Sequence, residues 1–472
     1  MVDAAPMSPV LLSLPLLFAL GQSPESPPVE PSLRARLSFL ATDDDVDTSG
    51  SYTQWNAALD AHTSELTSGL RAEAALSFFL SVSGPGRGAT LVDNGSAFRL
   101  RYRPAHWAAE ESLALSVHPL SSVRLYLGSS YPVTWGRELF PRRTGAEPAL
   151  ELRLSRRQWG AFAALKSAVV TEEPAGDSRH YAVLGGVFVD VLPPLRLELE
   201  GMYGNLGDAP GAANFGVELP MHMRGASVRA LWHQGPPIGG NVDLSLYRGD
   251  PAFFERSFTV ETYAPGVAAS ASLEGSLVSQ DLQSAEEATL PRASTQQARA
   301  VALDVRVRRD FLRLFGLAYY RTPSFIQLGV PGFPPNQAFS RDAEPQAEVS
   351  GSLGADYHFE RWGLTPGLLA RLTLPASFRQ PGFGGPASLR RLVLLNPNQL
   401  RILPTGEERR AALTLKATVR WDLGTVAGVV AEFAYVNDPN KTEFADDDTG
   451  VAMPVFKDAN TYGATVMLQA RY

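Results

Sequence analysis

The stretch Glu348-Val349-Ser350-Gly351-Ser352-Leu353-Gly354-Ala355-Asp356-Tyr357-His358-Phe359 decides the fold. Val349, Gly351, Leu353, Ala355, Tyr357 and Phe359 alternate there with Glu348, Ser350, Ser352, Gly354, Asp356 and His358. A period of two sets one face of a strand against an apolar medium and the other against water, which a helix of period 3.6 cannot do. Working outward, the run from Phe98 to Arg103 alternates in the same way, as does Leu195 to Glu200. Leu413, Leu415, Ala417, Val419 and Trp421 alternate with Thr414, Lys416, Thr418 and Arg420. The longer runs cover about 9 to 12 residues, the length a tilted strand needs to cross a bilayer.

Roughly 21 such runs occur by this criterion. They begin near Leu33, Trp55, Leu70, Phe98, Leu113, Val123, Leu150, Trp159, Tyr181, Leu195, Ala226, Val242, Phe258, Val267, Val301, Leu312, Ala347, Leu364, Leu413, Ala427 and Tyr462. In the C-terminal half, tight turns at Arg309-Asp310, Glu360-Arg361-Trp362-Gly363 and Asp422-Leu423-Gly424 alternate with much longer connections. Short turns at one end and long loops at the other, with an even strand number, are the pattern of bacterial membrane barrels. Counting back from Tyr472, the parity holds to about Leu150 if Phe258 to Tyr263 is a strand; before Leu150, one or three candidates must be false. The sequence therefore predicts an all-β protein, a transmembrane antiparallel up-and-down β-barrel of about 18 strands, with roughly 16 to 20 allowed.

Composition agrees. The chain has 472 residues, 41 Gly and 36 Pro, and its 44% of hydrophobic residues is spread too thinly for a helical membrane span. It has no cysteine, which removes disulfides, thiolate zinc sites and cysteine nucleophiles. A net charge of −7 without a basic tail makes nucleic acid an unsuitable partner. Residues 1–21 read as a signal peptide, with an apolar core from Val10 to Leu20 and small residues Ala19 and Gly21 before a cleavage point at Gln22, although no Lys or Arg precedes the core. Residues 22–31 read as a short periplasmic linker and 32–472 as the barrel.

At the C-terminus Tyr462, Ala464, Val466, Leu468, Ala470 and Tyr472 alternate with Gly463, Thr465, Met467, Gln469 and Arg471. This resembles the C-terminal assembly signal of Gram-negative outer-membrane proteins, in which the last strand ends in an aromatic residue. The resemblance implies an outer-membrane location, contact with membrane lipid and lipopolysaccharide, and insertion by the barrel-assembly machinery. Phe39, Trp55, Tyr102, Trp159, Tyr181, Tyr203, Trp232, Phe359, Trp421, Tyr435 and Tyr472 fit the aromatic girdles of such barrels.

If the apolar face meets lipid, the alternate face lines the lumen and is rich in arginine. Lumen and selectivity candidates are Arg99, Arg101, Arg103, Arg124, Arg153, Arg196, Arg306, Arg308, Arg371 and Arg420, with Arg34 and Arg36 beside them. Carboxylates on the same face include Glu73, Glu151, Glu198, Asp243, Asp304 and Asp356. Such arginines either focus a field that attracts anions or form ladders that brace the wall. Two loops are constriction candidates: 131–148 through Arg137, Arg142 and Arg143, and 375–410 through Arg390 and Arg391. Acidic residues Asp438, Glu443, Asp446, Asp447, Asp448 and Asp458 fall in one external loop. The seven histidines are scattered without metal-ligand spacing, and no nucleophile motif is present, so the sequence offers no enzyme, metal or cofactor reading. The leading expectation is a porin-like channel with a cationic lumen passing anionic solutes. One alternative is a conduit for secreted anionic polysaccharide working with a periplasmic partner, similar to the alginate-export type of porin. Another is a non-conducting structural or adhesive barrel.

Overall fold

The computed structural model describes residues 33–44, 52–82, 89–129, 145–172, 176–209, 212, 215–246, 250–259, 263, 265–285, 291–326, 337–381, 389–396, 399–446, 448 and 450–472. The signal and linker segments expected at 1–31 lie outside them. The strands are β1 (Leu33–Asp44), β2 (Tyr52–His62), β3 (Leu70–Val82), β4 (Ala89–Asp93), β5 (Ala97–Tyr102), β6 (Ser112–His118), β7 (Ala149–Ser155) and β8 (Trp159–Glu172). There follow β9 (Gly176–Leu192), β10 (Leu195–Asp208), β11 (Pro220–Gln234), β12 (Val267–Gln283), β13 (Ala293–Arg309), β14 (Leu312–Arg321), β15 (Glu348–Tyr357) and β16 (Leu364–Leu374). The last are β17 (Ser377–Pro381), β18 (Leu389–Asn396), β19 (Gln399–Ile402), β20 (Ala412–Leu423), β21 (Ala427–Asn437), β22 (Thr442–Asp446), β23 (Ala452–Phe456) and β24 (Asn460–Arg471).

Neighbouring wall strands pair antiparallel around the ring, and β24 returns to β1 with Arg471 opposite Arg36 and Gly463 opposite Asp44. Strands β4 and β5 are two halves of one wall strand, both paired with β3 and interrupted at Asn94, Gly95 and Ser96. The result is a closed antiparallel barrel of 18 wall strands. Closure gives every wall strand a neighbour on each side, so the backbone groups of the band they share are satisfied, as a segment surrounded by hydrocarbon requires. Three expected strands are corrected. Val123 lies in a turn in which the Leu125 N–H donates to the Ser122 carbonyl, Val242 lies in a connection inside the barrel, and Phe258 caps the short helix α1 (Phe253–Ser257). Each fragment alternates by composition, but packing inside the barrel holds it off the wall.

The alternation read from the sequence is realised as outside and inside. Leu353 is 74% exposed on the outer face, whereas Ser350, Ser352 and Asp356 are buried within. On β24 the residues Tyr462, Ala464, Val466, Leu468 and Ala470 all face outward. Trp159, Trp232, Trp421 and Tyr102 ring one end of the outer surface, while Tyr181, Tyr203 and Tyr462 lie towards the other. Both β1 and β24 have their chain-terminal residues at the first of these ends. Tight turns cluster there too, including Asp310-Phe311 and the Gly363 turn, in which both Asp310 and Gly363 take positive φ. An apolar outer band between aromatic girdles, with a polar interior and short turns at the end holding both termini, is the outer-membrane design, with that end in the periplasm. The chain is a β-barrel of the membrane-spanning type.

Candidate functional site: a lumen entered from both ends

One connection at the periplasmic end breaks the pattern of tight turns. Residues 235–266, between β11 and β12, carry α1 and a 3-10 turn (Leu244–Leu246) into the barrel. Phe253, Phe254, Phe258 and Leu244 pack there against the inward side chains Leu40, Val430 and Met467. The wall is cut back to seat this insert. A Cβ on Gly367 would meet Val242 at 2.5 Å, and one on Gly428 would meet Phe258 at 2.9 Å. Arginines of the wall hold its backbone: Arg306 donates to the Gly239 carbonyl at 2.9 Å, Arg308 to Pro237 at 2.7 Å and Arg313 to Ile238 at 3.1 Å. Asp243, which the alternation had placed on the wall, belongs to the insert and pairs with Arg371 and with Lys416, the latter at 3.0 Å.

A second segment enters from the external end. Leu125 and Leu127, in the connection after β6, lie over a row of small inward residues on β8, β9 and β13 that includes Ala164, Ala168, Ala182, Ala298 and Ala300. Alanine where arginine or glutamate would fill the lumen leaves the space that these leucines occupy. The Gly128 N–H donates to Glu200 at 2.7 Å and the Ser129 N–H to Glu274 at 3.0 Å, fixing the segment to the wall. The two segments meet at the break between β4 and β5. Arg124 donates to the Asn94 carbonyl at 2.9 Å and pairs with Glu255 of the insert at 3.0 Å. Asn94 donates to the Pro251 carbonyl at 2.7 Å, and Arg36 of β1 reaches Glu255 at 3.5 Å. Arg124 is therefore a latch between two inward-folded segments, not a wall residue.

The remaining lumen arginines divide into two groups. Arg153 pairs with Glu151 at 2.7 Å, Arg196 with Asp190 at 2.6 Å, Arg306 with Asp304 at 2.8 Å and Arg420 with Asp422 at 3.1 Å. Arg313, paired with Asp356 at 2.7 Å through two hydrogen bonds, was missing from the sequence candidates and is the most buried of these braces. At the periplasmic ends of β1, β2, β3 and β5 the arrangement is looser. A cup of about 450 Å³ opens there, lined by Arg34, Arg71, Arg99, Arg101 and Arg103 against Asp60, Glu65 and Glu73. Its ion pairs run from 3.4 Å for Arg99–Glu73 to 4.0 Å for Arg101–Glu73 and Arg71–Glu65.

Of the constriction candidates, Arg137, Arg142 and Arg143 lie outside the described residues. Arg390 and Arg391 sit on the sheet β17–β18–β19 of the external connection, above the wall. Arg391 is buried there and pairs with Glu408, which also accepts from Arg379 at 2.8 Å. The Arg391 hydrogen bond, and then that of Arg379, holds the Glu408 carboxyl below its ordinary range. In the periplasmic turn after β5, the Ala108 N–H likewise holds Glu111 low. The constricting insert was missed, yet it carried a signal: 235–266 is far longer than every other connection at its end of the barrel.

No protein-family model matches the chain, and no curated protein matches it. Among solved structures, Acinetobacter baumannii OccAB2 is similar at 9% identity, covering 93% of this chain and 97% of its own, with a TM-score of 0.47. Pseudomonas aeruginosa OccK9 (OpdG) is similar at 12% identity, with coverage of 93% and 97% and a TM-score of 0.47. Pseudomonas aeruginosa OccK3 (OpdO) stands at 13% identity, 93% and 95% coverage and a TM-score of 0.44.

Proposed function

We propose that the chain is a porin-like channel, narrowed by inward-folded segments from both ends, that passes anionic solutes through a cationic mouth. The observation that carries this reading is the cup, where five arginines face three carboxylates and two of those arginines, Arg34 and Arg103, have no carboxylate in ion-pair reach among the described residues. Fixed positive charge at a low-dielectric mouth raises the local anion concentration. The braces elsewhere neutralise their own arginines and support the wall, so the field is concentrated at this sector.

Single-channel recording of the refolded protein in planar bilayers with a salt gradient tests the reading. The reversal potential should report anion preference, weakening as the screening length falls from about 10 Å at 0.1 M salt to about 3 Å at 1 M. Cation preference would overturn the anionic reading. A second reading, the non-conducting structural barrel, is favoured by the Arg124–Glu255 contact across the lumen, and absence of conductance would establish it. We read the outward row on β24 that ends at Tyr472 as the signal for the assembly machinery. Deleting Ala470 to Tyr472 should then abolish outer-membrane accumulation.

A further inference from the structure

We propose that the periplasmic cup is a binding site for a compact multivalent oxyanion, of the phosphate or pyrophosphate class. As a statement of which anions the mouth selects, this rests on the channel reading above.

The strand register makes the case. Arg71 of β3 stands directly opposite Arg101 of β5, and Arg99 stands opposite Glu73. Side chains opposite each other across an antiparallel pair lie about 4.5–5.5 Å apart at Cβ, where like charges repel. Where arginines face each other elsewhere in the wall, as Arg308 faces Arg313 and Arg36 faces Arg471, close partners take the guanidinium groups: Arg308 donates to the Pro237 carbonyl, Arg313 to Asp356, Arg36 to Asp60 and Arg471 to Gln469. In the cup the nearest carboxylates do not cure the repulsion. Glu73 is shared between Arg99 and Arg101, Glu65 reaches Arg71 only at 4.0 Å, and Asp60 is drawn to Arg36.

Five arginines against three carboxylates, one of them drawn to Arg36, leave an excess of at least two positive charges, which a multivalent anion matches and a monoanion does not. The cup is also open where the anion must sit. Ala75 and Ala97 form its floor in facing positions, so the guanidinium groups project over space and not over packed side chains. Gly69 shapes the rim: its φ is +76°, and a Cβ there would meet the Arg103 carbonyl oxygen at 2.0 Å, so only glycine lets Arg103 close the cup. Guanidinium forks pair two-to-two with phosphate oxygens, and about 450 Å³ accommodates a pyrophosphate with bound water.

Titration calorimetry on the full-length protein refolded in detergent tests this, with inorganic pyrophosphate, phosphate and acetate as probes at fixed ionic strength. Pyrophosphate should bind most tightly, acetate should not bind measurably, and Arg101→Gln should weaken pyrophosphate about tenfold, as loss of one charged hydrogen-bond donor implies. Arg103→Gln, at the strand end, is the second variant, and heat-dependent gel mobility confirms that each variant forms a barrel. Equal binding of acetate, or unchanged pyrophosphate affinity in folded Arg101→Gln and Arg103→Gln proteins, would overturn the site and leave only diffuse attraction. Anion-selective conductance without pyrophosphate binding would likewise overturn the site while sparing the channel. Pyrophosphate binding to a non-conducting barrel would support the site while removing the channel reading.

Discussion

Two sectors of one wall, built from the same alternation and the same residue, use arginine in opposite ways. Between β13 and β16 the guanidinium groups are buried and committed: Arg313 lies at 2.7 Å from Asp356, and Arg308, 1% exposed, donates to the insert backbone. At the periplasmic ends of β3 and β5, Arg71, Arg99 and Arg101 are half exposed and their pairs are long. The difference teaches that charge count along a lumen says little, while how closely each guanidinium group is partnered says much. A close, buried carboxylate makes a brace that is costly to break and carries no outward field. A second arginine opposite, with no close partner on either, as for Arg71 and Arg101, makes a source of field that contributes little to stability.

The strongest way to break the comparison is Asp356→Asn. It leaves the Arg313 guanidinium buried with half its partners, and removing one member of a buried pair costs about 3–5 kcal/mol. The temperature at which the barrel loses its compact gel mobility should fall clearly; an unchanged temperature would mean that the braces are ornamental. Glu255→Gln comes next. Removing a partly buried carboxylate from Arg124 and Arg36 should shift the latch toward its released state by about tenfold, which single-channel dwell times would record as longer openings. Unaltered dwell times would confine Glu255 to packing.

Replacing Arg99, Arg101 and Arg103 together by Gln sharpens the comparison from the other side. Exposed pairs of this kind contribute about 0–1 kcal/mol each, so barrel stability should hold while anion preference drops. Loss of the barrel with selectivity retained would make the cup another brace. The smallest effect concerns the external sheet. Arg391 holds the folded carboxyl of Glu408 below its ordinary value, so its contribution is present above the usual carboxylate range and is lost as pH falls through the lower folded value. Hydrogen exchange of the β18 amides, corrected for intrinsic rate, should be constant from neutral pH down to the ordinary carboxylate range and rise only as the pH falls below it. A rise beginning near neutrality would assign the opening to another group.

The wall was legible because its signal is local. A period of two along Glu348 to Phe359 fixes which side chains face lipid whatever the neighbours are, and the same holds for β5, β10, β20 and β24. The insert was not legible by that route. Asn241 to Leu246 and Phe258 to Tyr263 carry short alternating apolar residues, and only the surrounding lumen decides that Val242, Leu244 and Phe258 pack inward. The roles of the arginines were hidden for a related reason. Arg71 is absent from the sequence candidates and stands out only when register places it opposite Arg101, and Arg313 becomes a brace only when Asp356 is set beside it. Register is a property of pairs of strands, and one strand read alone does not contain it.

The insert touches both the first and the last strand. Arg36 reaches Glu255, and Gln469 donates to both the Ser38 hydroxyl and the Phe254 carbonyl, so the seam where β24 meets β1 is stapled from within. That seam joins residues 431 positions apart in the chain, the one wall pairing that no hairpin can bring together. A docking point in mid-chain divides this search into two shorter closures. Halving a loop saves only about 0.6 kcal/mol of closure entropy, so the advantage lies in the order of events and not in final stability. A barrel whose middle already holds a hydrophobic template can recruit its two ends one after the other, and folding can proceed from the lumen outward to the seam.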